Sequence, residues 1–176
     1  NHPDKPVLTA RNCGFLIQMG TTEFFVKPHG DQLVNLLVDA GKAEALKTES
    51  QQFPSLTLSQ RQVCDLELLM NGAFSPLTGF LGQADYESVV DDLKLADGTL
   101  WPVPIVLDVP EKFAEKLEKG QKIALRDGEG FMPAVLTVEN IWRPDKNREA
   151  EKVYNTTSEQ HPGVRYLNDC VHPVYI

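Results

Sequence analysis

Cysteine is scarce in this sequence of 176 residues, and the three that occur are widely spaced. Cys13, Cys64 and Cys170 are an odd number with no close pair, so the sequence predicts neither a disulfide framework nor a four-ligand zinc site. Thiols without such a pattern are typical of proteins from a reducing compartment. We therefore expect a cytoplasmic protein.

Excess positive charge and long apolar runs are also missing. The formal net charge is −8, which argues against nucleic acid as the main partner, because binding to a phosphate backbone needs a basic surface. The longest apolar runs extend over a few residues only, and the first residues lack a basic stretch followed by a hydrophobic one. We expect no membrane span and no signal peptide.

The common signatures of catalysis and phosphate binding are absent as well. The sequence has no glycine-rich phosphate loop and no His-x-x-x-His or His-Glu-x-x-His pattern. For the four histidines (His2, His29, His161, His172) we expect structural or solvent-facing roles. Cys64 is expected to be a buried small hydrophobe rather than a nucleophile, Ser59 a helix cap, and Ser75 a turn residue before Pro76. The residues alone therefore predict no catalytic, substrate-binding or metal-binding residue.

Several stretches have the periodicity of helices. Helix-forming residues run from Ala40 to Gln52, and Ser59 with Gln62 has the spacing of a capping box. Apolar residues recur at helical spacing in both of the following segments, at Val63, Leu66, Leu69 and Met70 in the first and at Tyr86, Val89, Val90 and Leu93 in the second. Further helices are predicted over 111–119 and 145–154.

Strand patterns alternate with these helices. Apolar residues at positions 103, 105, 107 and 109 predict a strand, and Ile123–Arg126 with Ala134–Val138 predicts a hairpin through Asp127-Gly128-Glu129-Gly130. The segment Leu33–Val38 is expected to be extended or mixed. Short strands among short helices are typical of an α+β domain with a small twisted sheet or barrel.

Charged residues on two of the predicted helices are more typical of solvated surfaces than of a catalytic site. Arg61 and Asp65 form an i,i+4 pair of opposite charge. Another mixed-charge surface is predicted from Asp145, Lys146, Arg148, Glu149 and Glu151.

Taken together, several segments resemble the N-terminal portion of ATP sulfurylase, the sulfate adenylyltransferase family. They are PHG at 28–30 followed by LVNLLV, FPSLTLSQRQVCDLELLMNGAFSPLTGF at 53–80, DYESVV, LWPVPIVLDV at 100–109, KIALRDGEG at 122–130, PDKNREAEKVYNTT and EQHPGVRYL. Their order and spacing cover about residues 28–167.

This resemblance implies a PUA-like pseudo-barrel of short, mostly antiparallel strands with flanking helices. It implies the PUA-like domain at 28–170 and, at 171–176, the start of a linker towards a catalytic domain. Residues 1–27 are an N-terminal extension outside the resemblance, and apolar runs at 14–17 and 23–26 around a Gly-Thr-Thr turn predict a strand hairpin there. The apolar turn NGAFSPLTGFLG is expected to fold its aromatic residues into the interior or, alternatively, to face that catalytic domain.

The family joins ATP and sulfate to give adenosine 5′-phosphosulfate and pyrophosphate, but its binding signatures are missing from this sequence. Arg11-Asn12 fails the Gln-x-Arg-Asn pattern, because Thr9 stands at the glutamine position, and no His-x-x-His occurs. The resemblance thus implies a non-catalytic domain that binds no cofactor, with ATP and Mg²⁺ expected for the full-length enzyme. Its partner would be a catalytic domain of the same polypeptide or a homo-oligomer. A role in sulfate assimilation or in sulfur oxidation, and a free-standing PUA-like binding module with RNA as one conceivable ligand, stay open as alternatives.

Overall fold

Residues 27–176 are described by a computed structural model of the chain, and they divide into two compact units. In the described part, the first unit comprises residues up to Gly79 together with Lys122–Thr137, and the second comprises Phe80–Gln121 with Val138–Ile176. The predicted hairpin of the N-terminal extension lies outside the described residues and stays a prediction.

Two helices of the first unit begin at the residues that the sequence indicates. Helix α1 spans Ala40–Glu49 and continues as a 3₁₀ turn at Ser50–Gln52, in agreement with the prediction over 40–52. Helix α2 spans Gln60–Met70 and has the complete capping box. The Gln62 amide donates to Ser59 Oγ at 3.3 Å, and the Ser59 amide donates to Gln62 Oε1 at 2.8 Å. Leu66, Leu69 and Met70 of α2 are buried, as the periodicity predicts.

A three-stranded sheet completes the first unit. Strands β3 (Lys122–Arg126) and β4 (Ala134–Thr137) form the predicted antiparallel hairpin, with Ala124 opposite Val135. Strand β1 (Ser55–Thr57) pairs in parallel with β3. Segment 33–38 carries no strand of its own, and it is held by single bonds such as Leu36 N to Met70 O at 3.0 Å.

The unusual turn after α2 is anchored at a buried serine. Ser75 Oγ donates to the Gly72 carbonyl at 2.6 Å and accepts from the Val34 amide at 2.9 Å. Gly72 has φ +85°, and a Cβ there would lie 2.7 Å from Val34 O, so only glycine fits this approach. Leu77 and Leu81 are buried, whereas Phe74 and Phe80 are half-buried. The turn therefore places its leucines more deeply than its aromatic residues.

In the second unit, helix α3 spans Gln83–Asp92 and buries Tyr86, Val89 and Val90. The prediction that Leu93 continues this apolar face is wrong. Leu93 terminates the helix in the left-handed conformation with φ +58°, and its side chain is exposed. The change of backbone hand after Asp92 turns the side chain away from the face defined by the helical period.

Two predicted elements are shorter in the structure. Strand β2 covers Asp108–Val109 only, and residues 105–109 are buried without alternation, because this stretch lies in the interior rather than at a solvent-facing edge. Helix α4 covers Glu111–Ala114 instead of 111–119, and turns follow it up to Gly120.

The last part of the chain contains helix α5 (Lys146–Tyr154), which agrees with the prediction, and helix α6 (Pro162–Asp169), which was not predicted. Helix α6 has proline at its first position, where this residue is favoured because the missing amide would have no partner in the helix. Residues 171–176, expected to begin a linker, contain strand β5 (Val174–Tyr175), which pairs antiparallel with β2. The predicted domain boundary itself stays a prediction.

The predicted α+β class is confirmed by this mixture of helices and mostly antiparallel strands. The five strands of residues 27–176 form one three-stranded and one two-stranded sheet, and they do not close into a barrel. None of the helices in the described part is long and apolar enough to cross a membrane.

Candidate functional site

The histidines of the described part are separated along the chain. His29 and His172 are exposed, and His161 is half-buried. His161 Nδ1 accepts from the Gly163 amide at 3.2 Å and thus caps α6, and its ring centroid lies 5.0 Å from that of Tyr154. These positions fit the structural or solvent-facing roles expected for them. Within residues 27–176, no three or more His, Cys, Asp or Glu residues are grouped so as to hold a metal ion.

The expectation that Cys64 is buried is wrong. Cys64 is an exposed thiol, and so is Cys170. Helix α2 turns its face with Gln62 and Leu66 to the interior. Position 64 is two residues from each of them, or about 200° around the helix axis, which places Cys64 on the opposite side.

The ion pair on α2 is less solvated than its sequence suggests. Arg61 Nε lies 3.4 Å from Asp65 Oδ2, but the side chain of Asp65 is only 14% exposed. Burial raises the pKa of the Asp65 carboxyl, and the positive charge of Arg61 opposes this shift. The solvated reading is thus correct for Arg61 and wrong for Asp65.

The predicted mixed-charge surface of α5 divides into several different roles. Asp145 caps the helix by accepting from the amides of Asn147 and Arg148, and Arg148 forms an ion pair with Asp91. Lys146 Nζ donates to the carbonyl of Leu167 at 2.9 Å, at the end of α6. Glu151 is exposed as expected. The solvated reading of Glu149 is wrong, since this residue is buried.

Glu149 is the centre of a buried cluster with aromatic residues. Its Oε2 accepts hydrogen bonds from the Tyr86 hydroxyl at 2.8 Å and from the Tyr175 hydroxyl at 3.0 Å. The Tyr86 and Tyr175 ring centroids are 5.6 Å apart in an edge-to-face arrangement, and Trp142 lies 5.7 and 5.8 Å from them. We call these four residues the Glu149 cluster.

Electrostatics keep both tyrosines in the role of donors. Burial, and then the negative charge of Glu149, raise the pKa of Tyr86 and of Tyr175 well above the usual 10. Both hydroxyls therefore keep their protons throughout the physiological range and direct them at one carboxylate oxygen. These two hydrogen bonds connect helix α3, helix α5 and strand β5 in the interior.

The sequence carries a signal for this cluster that the charge pattern concealed. Glu149 lies four residues before Val153 and next to the buried Ala150, so it shares the inward face of α5. Tyr86 was expected on an apolar face, and its hydroxyl needs a buried acceptor. The two observations together point to a buried carboxylate partner.

Comparisons with known proteins give consistent matches. Residues 26–176 match the family model described as PUA-like domain. The chain is 46% identical over 152 residues to sulfate adenylyltransferase of Eremothecium gossypii. This alignment covers 86% of the chain and 30% of that protein. It is 48% identical over 159 residues to the protein of the same name from Candida albicans, with 85% of this chain and 30% of that protein covered.

One solved structure extends this likeness to three dimensions. The hexameric APS kinase from Thiobacillus denitrificans matches with a TM-score of 0.62 and 45% sequence identity, over 68% of this chain and 24% of that one. The chain spans about 30% of the length of the curated relatives named above. What it shares with these proteins is therefore one part of a longer polypeptide.

Proposed function

Since the chain belongs to the PUA-like domain family, we propose that it serves as the N-terminal, non-catalytic domain of a sulfate adenylyltransferase, in which it supports a catalytic domain of the same polypeptide. The observation that carries this proposal is the extent of the matches. Relatives of that name are 44–48% identical to the chain over 85–86% of its length, while the match covers 26–30% of their own length. The resemblance noted from the sequence is thereby confirmed.

The Glu149 cluster supports a non-catalytic role. Its carboxylate, both phenolic hydroxyls and the Trp142 ring belong to buried residues, and the two hydroxyl protons are already donated to Glu149. A general acid or base must reach a substrate group within hydrogen-bonding distance. The Glu149 carboxylate is instead occupied in joining three elements.

The reaction of the whole enzyme, ATP and sulfate giving adenosine 5′-phosphosulfate and pyrophosphate, belongs to the same proposal. We propose that ATP and Mg²⁺ bind to the part of the enzyme outside this chain, and that the enzyme is cytoplasmic and oligomeric. The unpatterned cysteines support the location. A role in sulfate assimilation is proposed on the names of the relatives alone.

Pyrophosphate release from ATP and sulfate, with Mg²⁺ present, tests the proposal on the 176-residue chain and on the natural gene product at its full length. We expect activity in the longer product only. Activity of the 176-residue chain would contradict the non-catalytic assignment, and inactivity of both proteins would contradict the assignment to sulfate activation. The free-standing binding module is not favoured, because the matches named above are to parts of longer proteins.

A further inference from the structure

A continuous apolar run is exposed on the second unit. Leu100 is 58% exposed and Val103 is 49% exposed; Pro102 between them is exposed and Trp101 is half-buried. We call residues 100–103 the apolar strip. Single exposed apolar residues are ordinary on a protein surface, whereas four apolar residues in succession, none of them buried, suit an interaction site.

The strip begins in a hairpin that backbone hydrogen bonds hold together. The Trp101 amide donates to the Leu93 carbonyl at 2.8 Å, the Leu95 amide donates to the Thr99 carbonyl at 2.8 Å, and Lys94 pairs with Leu100. Asp85 Oδ1 accepts from the Ala96 amide, which ties the hairpin to helix α3. A preorganised apolar surface loses little conformational entropy when it binds.

The hairpin also contains a leucine with an unfavourable backbone conformation. Leu93, opposite Trp101, is exposed and has φ +58°. A bulky apolar residue rarely adopts the left-handed conformation, and such strain concentrates at functional positions. Here the strained backbone presents a leucine next to the apolar strip.

We propose that the apolar strip, together with Leu93, is the surface on which the catalytic domain of the longer polypeptide docks. The proposal rests on the proposed function, and the length of the relatives supports this occupant. About 70% of each relative lies outside the matched part, so a covalently attached partner of more than twice the size is available to cover the strip. A tethered partner binds at a high effective concentration, and a small apolar patch is then sufficient.

Thiol labelling measures whether the strip is covered. Leu100→Cys and Val103→Cys variants are prepared in the 176-residue chain and in the full-length gene product. They are treated with a maleimide and analysed by peptide mapping, which separates the label from that on the native Cys13, Cys64 and Cys170. We expect labelling to be at least about tenfold slower in the longer product, because a covered thiol reacts only through local opening. Glu151→Cys, on the exposed side of α5 and away from the hairpin in the chain, is the control and should react equally in both proteins.

Equal labelling of position 100 in both proteins would overturn the proposal, and so would a gene product no longer than the chain. Slow labelling in the 176-residue chain that becomes faster on dilution would assign the strip to a second copy instead. Pyrophosphate release by the same longer product separates this inference from the proposed function. Activity without protection refutes the docking surface alone, and protection without activity refutes the enzymatic assignment alone.

Discussion

Helices α2 and α5 each bury one long polar side chain, but they provide its partners in different ways. Gln62 of α2 is 5% exposed and Glu149 of α5 is 6% exposed. Gln62 bonds to Ser59, three residues earlier, whereas the partners of Glu149 lie 63 residues before it and 26 residues after it. The capping box can form as soon as the helix does, while the Glu149 cluster requires three elements to assemble.

This difference has consequences for stability. A local bond stabilises one helix end and leaves other elements unaffected when it is removed. A buried carboxylate with two distant donors connects the elements that carry them, and its loss leaves every donor unsatisfied in the interior. We therefore expect the two helices to respond very differently to matched substitutions.

The largest effect is expected for Glu149→Ala. The substitution removes the acceptor of two buried hydroxyls, and each unsatisfied group costs about 1–3 kcal/mol, so the free energy of unfolding should fall by about 2–6 kcal/mol. Urea unfolding at pH 7 measures this change. Glu151→Ala, on the exposed side of the same helix, should shift it by less than about 0.5 kcal/mol.

A double-mutant cycle with Tyr175→Phe tests the assigned cause. In the parent, loss of this hydroxyl should cost about 1 kcal/mol, since Tyr86 still donates to Glu149. In the Glu149→Ala background the same change removes a donor without a partner, so its cost should vanish or change sign. Additive effects would show that the hydrogen bonds do not carry the stability of the cluster.

A smaller effect is expected for Gln62→Ala. It removes the bond from the Ser59 amide but leaves the Ser59 hydroxyl in place, so we expect a loss of about 1 kcal/mol. Hydrogen exchange should show faster opening of the first turn of α2, with amides of α5 unchanged. Gln62→Glu keeps an oxygen acceptor near the helix N-terminus and should retain most of the stability. Faster exchange throughout the chain would contradict a purely local role.

The same contrast explains which features could be predicted from the sequence. The capping box, the Asp127–Gly130 hairpin and the buried faces of α2 and α3 follow from patterns within a few residues, and the structure contains all of them. Glu149 was misassigned because its neighbours Arg148 and Glu151 are charged, while Tyr86 and Tyr175 are far away in the chain. Strand β2 was overestimated, since its extent depends on a partner at positions 174–175.

The smallest effect is expected at Asp65. Like Gln62 it has a local partner, Arg61, and like Glu149 it has a carboxyl that is at least partly buried. Its pKa is raised above the ordinary 3.8 because burial disfavours the charged form more than Arg61 favours it. A carboxyl that binds its proton more tightly in the folded state contributes stability below the unfolded pKa, and this contribution is lost as the pH rises through the folded pKa. At pH 7, Asp65→Asn should therefore raise the free energy of unfolding by less than about 1 kcal/mol, which appears as a slightly higher melting temperature. The gain should disappear as the pH falls to 3.8 and below, where Asp65 itself is protonated.

Differential scanning fluorimetry across pH 3–8 measures this, with the exposed Glu67→Gln as control. A lower melting temperature of Asp65→Asn at pH 7 would show that the ion pair with Arg61 outweighs desolvation, and that even a partly buried charge on α2 is stabilised by its nearest neighbour.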